Sequence, residues 1–167
     1  MKTTIILIAV LFFDFSFLLA QPEEDIIKQI RQQFKTINDE NKSYASEKQI
    51  IETEDAGVEQ TLTTFFKGKQ LMKIEVKFLG DMAESSNHYY YWNNQLFFIY
   101  STNTYHAYND GNIETTTNEN RYYFDKNKLI RWLDSEKKQR EKNSDEYKEK
   151  EKEWLEQATK FSSKYGK

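Results

Sequence analysis

A chain of 167 residues has room for one domain around a single core and too little for two. Its 24 Lys and Arg against 27 Asp and Glu leave a net charge of -3, so no overall basic field points to nucleic acid or an anionic lipid surface. Cysteine is absent, which excludes disulfides, thiolate metal sites, a cysteine nucleophile and a lipidated cysteine, while 16% aromatic residues against five Gly and one Pro favour regular structure with large buried rings.

The first twenty residues, MKTTIILIAVLFFDFSFLLA, carry one Lys near the start, an apolar run from Ile5 to Leu19 and a small residue at Ala20. This is the pattern of a secretory signal peptide cleaved before Gln21. A membrane anchor would want about 20 uninterrupted apolar residues, whereas Asp14 interrupts a shorter run. The ending LLAQ resembles the cleavage region of secreted proteins of Bacteroidetes-type bacteria. That likeness implies export to the periplasm or beyond the cell, with no membrane span left after cleavage. The remaining chain divides into residues 21–134, a helix plus a sheet, and 135–167, a helical segment packing on the same domain.

From Glu23 to Asn38, Ile26, Ile27, Ile30, Phe34 and Ile37 recur at steps of three and four behind Glu23, Glu24 and Asp25, which predicts an amphipathic helix. NDENKSYASEK then breaks the period, and a strand region follows. Asn41-Lys42-Ser43 matches a glycosylation acceptor, which matters only in a eukaryotic host.

Three stretches align without gaps: TFFKGKQLMKI (64–74), YYYWNNQLFFI (89–99) and YYFDKNKLIRW (122–132). Each has two aromatics, four turn-type positions, Leu, two variable residues and a bulky one, which reads as a β-hairpin closed by Gly68-Lys69, Asn93-Asn94 or Lys126-Asn127. Asp110-Gly111 is a fourth and stronger turn signal. The leucines at 71, 96 and 129 are 25 and 33 residues apart, and unequal spacing favours a meander over a solenoid. The motif resembles the hairpin units of MORN-type and YD-type repeat proteins, which implies hairpins stacked into an extended sheet and no particular functional residue. Counting outward from the turns places Phe65, Met72, Ile74, Val76, Phe78, Tyr90, Phe97, Ile99, Tyr123, Ile130 and Trp132 on one face as the predicted core. The other face carries Phe66, Leu71, Tyr91, Leu96, Phe124 and Leu129 next to the turns, with Thr64, Lys73, Glu75 and Arg131 further away.

After Leu133 the composition is helical. Residues 135–153 hold seven basic and seven acidic side chains, a solvated surface and not a nucleic-acid tail. Tyr147, Trp154, Ala158, Phe161 and Tyr165 then make one narrow apolar stripe, and Ser144 or Asp145 is placed to cap a new helix start. The expected fold class is α+β: an antiparallel meander of about six strands flanked by an N-terminal amphipathic helix and a long charged C-terminal helix.

Chemistry is sparse. The only histidines are His88 and His106. Asp81, Glu84 and His88 lie within eight residues, but on a loop leading into a strand, where no helix puts them on one face; no metal or cofactor is expected. His106 with Asp110 is a weak acid-base pair, carboxylate pairs such as Glu52 with Glu54 or Asp55 are expected by chance, and no nucleophile elbow, phosphate loop or dinucleotide motif occurs. The turn-proximal residues Phe66, Leu71, Tyr91, Leu96, Phe124 and Leu129 are the candidate binding surface, for a small apolar ligand, a glycan or a protein, unless a helix lies over them. Tyr89, Tyr100, Tyr105 and Tyr122 would extend it. The expected function is non-enzymatic binding outside the cytoplasm. The alternatives are a small hydrolase using acidic residues or His106 in a cleft, and an inhibitor or accessory subunit of an envelope complex.

Overall fold

The computed structural model describes residues 15–51 and 58–166. Most of the expected leader, and the Glu52, Glu54 and Asp55 cluster, lie outside them. Helix α1 (Phe15–Glu40) precedes strands β1 (Ala45–Ile51), β2 (Glu59–Lys67), β3 (Gln70–Leu79), β4 (Ala83–Trp92), β5 (Gln95–Asn109), β6 (Asn112–Asp125) and β7 (Lys128–Leu133), and helix α2 (Asp145–Tyr165) closes the chain. The strands form one antiparallel sheet in sequence order, a seven-stranded meander. It has one strand more than the count from turn signals. Among the described residues no helix is long and apolar enough to cross a membrane.

The four expected turns are where the backbone reverses. Asn93 and Asn94, Asp110 and Gly111, and Lys126 and Asn127 all have positive φ at both central positions, as type I′ turns require, whereas in the first hairpin Gly68 alone does. Just beyond each of the three aromatic turns the register skips a residue: Phe66 faces Leu71 but Phe65 faces Lys73, Tyr91 faces Leu96 but Tyr90 faces Phe98, and Phe124 faces Leu129 but Tyr123 faces Arg131. The residues passed over, Met72, Phe97 and Ile130, are β-bulges.

Those bulges reassign the faces. An extra residue on one strand exchanges odd and even positions beyond it. Ile74, Val76, Ile99 and Trp132 therefore join Leu71, Tyr91, Leu96, Phe124 and Leu129 in one core, against which Phe78 packs, rather than sharing a face with Phe65, Met72, Tyr90, Phe97, Tyr123 and Ile130. Both faces carry a core, each under its own helix.

On one face α2 lays down Tyr147, Trp154, Ala158 and Phe161, the stripe read from the sequence, with Tyr165 packed beside it. Its start is later than residue 135. Segment 134–144 turns back along β7, with Arg140 N–H donating to the Trp132 carbonyl (2.9 Å), before Ser144 caps the helix by accepting from Tyr147 N–H (3.2 Å). Tyr147 Oη donates to the Leu129 carbonyl (3.1 Å), and the Glu151 carboxylate accepts from Leu129 N–H (2.7 Å), so the outer edge of β7 is occupied. On the opposite face α1 sets Ile27, Ile30 and Ile37 against Met72, Tyr90, Phe97, Phe98 and Tyr123. Arg131 holds Glu23 and Glu24, Lys142 also holds Glu23, and Tyr90 Oη donates to Asn38 (3.2 Å).

Candidate functional site

The structure places the six sequence-predicted binding residues together and beneath α2. Leu71, Tyr91, Leu96, Phe124 and Leu129 are buried and Phe66 packs against them, in the core that holds Trp154 and Phe161. Tyr91 Oη donates to the Ala158 carbonyl (3.2 Å) and Tyr89 Oη to Gln157 (2.8 Å), so these hydroxyls secure the helix. Among the described residues the α2 face offers no open aromatic surface at this end. Tyr122 belongs to the same core, Tyr105 is exposed near the tip of the β5–β6 hairpin, and Tyr100 alone of the four extra tyrosines lines a recess on the α1 face.

The α2 face keeps one polar recess, where Asn87, Asn103 and Asn120 meet Glu146, Lys150 and Glu153, but the α1 face carries a cationic and apolar one. The core beneath α1 is drawn from the turn-proximal rows, and the rows beyond them are polar because β3 and β4 alternate Lys73, Glu75 and Lys77, then Ser86 and His88, with core residues. Two recesses adjoin there. A cleft of about 360 Å³ between α1 and the sheet is lined by Ile30, Phe34, Phe98, Tyr100 and Tyr123, with Arg31 and Arg121 its charged members. A groove of about 510 Å³ further along includes Lys48, Glu75, Lys77, Ser86, His88 and Thr102. They meet where the His88 and Tyr100 rings stand edge to face, 6.1 Å between centres.

Register sets the electrostatics of the groove. Glu75 faces His88, which faces Tyr100, which faces Arg121 across four strands. Glu75 is bound by Lys77 at 2.6 Å and approached by Lys73 at 3.6 Å. Burial works to raise its pKa, but the Lys77 hydrogen bond and the neighbouring charges outweigh burial and hold it below the usual carboxylate range. Lys73 is buried, 4.2 Å above the Phe65 ring centre, and burial lowers its pKa against the opposing pull of Glu75. Burial also lowers His88 to about 4, with Glu75 opposing and Lys73 and Lys77 assisting. The imidazole is therefore neutral at neutral pH, and its 3.9 Å approach to Glu75 is neither an ion pair there nor short enough for a hydrogen bond. Its Nε2 lies 2.8 Å from Ser86 Oγ.

In the cleft, Arg121 spends one nitrogen on Glu119, with Nη2 donating at 2.7 Å, and its guanidinium lies 5.3 Å from the centre of the Tyr100 ring. Its Nη1 is buried and has no hydrogen-bond partner among the described residues. A buried donor left unpaired costs about 1–3 kcal/mol, which an acceptor would recover once a shift of the guanidinium turned that nitrogen into the cleft.

Other sequence candidates do not converge. Asp81 and Glu84 are exposed while His88 is half-buried against Glu75, and among the described residues no three of His, Cys, Asp and Glu gather to hold a metal. His106 Nδ1 lies 3.0 Å from Thr115 Oγ1 on the distal hairpin, and the groove's imidazole is His88. Lys73, Glu75, His88 and Arg121 escaped notice as a set because unbulged counting puts Lys73 and Glu75 on the α2 face. The alternation of Lys-x-Glu-x-Lys with Ile and Val was the available signal.

The arrangement defines a class: an α+β protein with a helix on each face of an antiparallel meander and a mixed apolar and cationic recess beside the first helix. No family model, curated protein or solved structure matches the chain.

Proposed function

We propose that this is an exported, non-enzymatic binding protein whose ligand has an apolar or aromatic body and one anionic group. The body sits in the cleft on Phe34, Phe98, Tyr100 and Tyr123, and the anion accepts from Arg121. The observation that carries the reading is a mostly apolar cleft of about 360 Å³, within the size range of small-molecule sites, with Arg121 in its lining and the Arg121 Nη1 left without a hydrogen-bond partner among the described residues. Export is supported by the leader pattern of residues 1–20 and by Pro22. Inside the long α1 a proline forfeits a helix hydrogen bond, whereas cleavage after Ala20 puts Pro22 in the first turn, where proline is favoured, followed by acidic residues that suit a helix start.

The probe of choice is 1-anilinonaphthalene-8-sulfonate, an aromatic body with one fixed anion. Its fluorescence should rise saturably with the folded protein, and dodecanoate should displace it. Arg121→Gln should weaken binding at least tenfold while the thermal melt still shows a folded domain. Unchanged affinity in that variant would overturn the reading.

A second reading rests on the Ser86–His88 bond: in the tautomer that leaves Nε2 without a proton, the neutral imidazole accepts from the serine hydroxyl, the pairing of a hydrolase nucleophile with its base. Against it, Ser86 lies within a regular strand paired on both sides, so no pair of free backbone N–H groups stands ready for an oxyanion. Hydrolysis of p-nitrophenyl acetate that is abolished by Ser86→Ala, with probe binding intact, would favour this reading over the first.

A further inference from the structure

We infer that two copies of this chain associate through the outer edge of β6, pairing antiparallel about a twofold axis at Thr115. Strand β5 extends to Asn109, beyond the last β4 partner at Tyr105, and β6 begins at Asn112, long before its first β7 partner at Arg121. Among the described residues the stretch 112–120 is therefore paired on one side only, by β5. Residues 112–118 are all exposed. Asn112 faces Asn109 across the two-residue turn, a hydrogen-bonded pair, so from there alternate residues turn their N–H and C=O outward: Ile113, Thr115, Thr117 and Glu119. Glu119 fixes that parity, because its N–H donates outward to Ser135 Oγ (3.2 Å).

The contrast with β7 matters. There the outer edge is taken up by Glu151, Tyr147 and the 138–140 segment. On β6, Ser135 closes the edge at Glu119 and also donates to Asn118 Oδ1 (3.4 Å), whereas residues 112–117 have no Pro, no Lys and, among the described residues, no covering loop, with four β-branched side chains in Ile113, Thr115, Thr116 and Thr117.

The free stretch is its own complement. Centred on Thr115, it sets Asn112 opposite Asn118, Ile113 opposite Thr117, Glu114 opposite Thr116 and Thr115 opposite Thr115. The outward groups of Ile113, Thr115 and Thr117 then meet outward groups in each copy, and threonine pairs are favourable cross-strand neighbours. Glu114, the one charge in residues 112–118, faces a threonine and not its own copy. Centring on Thr116 instead would require the Glu119 position that Ser135 holds. The same seam shelters Ile113, which with its directly opposed neighbour Tyr108 is a largely exposed apolar pair, at 59% and 71%.

Sedimentation equilibrium of the purified protein tests this. The wild type should move from the mass of one chain to twice that mass as concentration rises. Thr115→Pro and Thr117→Pro remove outward donors while sparing the backbone bonds to β5, although each gives up one side-chain bond to that strand, to His106 or to Thr104, and should weaken association at least tenfold. Thr115→Lys, which sets two ammonium groups face to face, should do the same and serves if a proline variant melts early. Since the chain has no cysteine, Thr115→Cys should oxidise to a covalent dimer, its Cα atoms about 5.5 Å from their copies, whereas Thr116→Cys should not. A wild type that stays monomeric, association that survives both Thr115→Pro and Thr115→Lys, or crosslinking favoured by Thr116→Cys would each overturn the proposal.

Discussion

His88 is a base that the fold keeps neutral. Its neighbours are the Tyr90 and Tyr100 rings, Glu75, Ser86 and, through Glu75, Lys73 and Lys77. Folding lowers its pKa from 6.5 to about 4, so between those values the unfolded chain binds a proton that the folded chain refuses. The stability it supports is whole above pH 6.5 and is lost as pH falls through about 4. The urea midpoint of the wild type should thus decline from pH 6.5 towards pH 4, while that of His88→Gln should be flatter across the same window. Parallel profiles would mean that His88 is protonated as readily in the fold as outside it. Glu23 and Glu75 act lower down: both are held below the ordinary carboxylate value of 4.5, and their contributions go only as pH drops beneath it. The histidine and its serine were both visible in the sequence. Their contact was not, since it depends on two residues spaced by one on a strand that is confirmed as β4 only by its pairing.

At the level of elements, the hairpins are the most legible part of the chain and also the place where counting failed. Turn chemistry is local, so Asn-Asn and Asp-Gly announced their positive φ angles. The bulge is not local, because it exists only when one strand is laid beside another, and each of the three moved the later residues of its own strand to the other face. The third turn is the weakest chemically: Lys126 adopts φ 49°, a left-handed conformation that costs a residue with a Cβ roughly 1–2 kcal/mol and glycine very little. Lys126→Gly should therefore raise stability by about 1 kcal/mol in urea unfolding, with the slope of the transition unchanged. A loss of stability would show that the Lys126 side chain does more than bridge the turn. For α2, apolar periodicity gave the buried stripe and Ser144 gave the start, but the balanced charges of 135–143 suited a helix as well as the loop that closes β7's edge.

At the scale of the molecule, the sheet is a middle layer, and both helices are needed because both faces are apolar near the turns. Glu23, Ile26 and Ile27, through which α1 pairs with Arg131 and packs on the sheet, lie beyond the predicted cleavage point. A protein starting at Gln21 should therefore keep the unfolding free energy in urea of a chain that retains residues 15–20, to within about 0.5 kcal/mol. A clear drop would make those residues part of the fold. The division of labour between faces also follows from the layers. Tyr147 to Tyr165 cover one face, whereas the α1 core stops at the turn-proximal rows and leaves Glu75, His88, Tyr100 and Arg121 beside a recess.

By itself the sequence determined what nearest neighbours along the chain decide: two amphipathic helices, four two-residue turns, the antiparallel order, and the residues that stripe α2. These are written in short-range periodicity and in backbone preferences of single residues, so no partner strand is needed to read them. Only the tertiary structure decided which side of the sheet each ring faces, that α2 covers Phe66, Leu71, Tyr91, Leu96, Phe124 and Leu129, and that Arg121 meets a cleft made by Ile30 and Phe34. Those facts depend on register and on layers closing over one another, and a single skipped residue, silent in composition, is enough to reverse them.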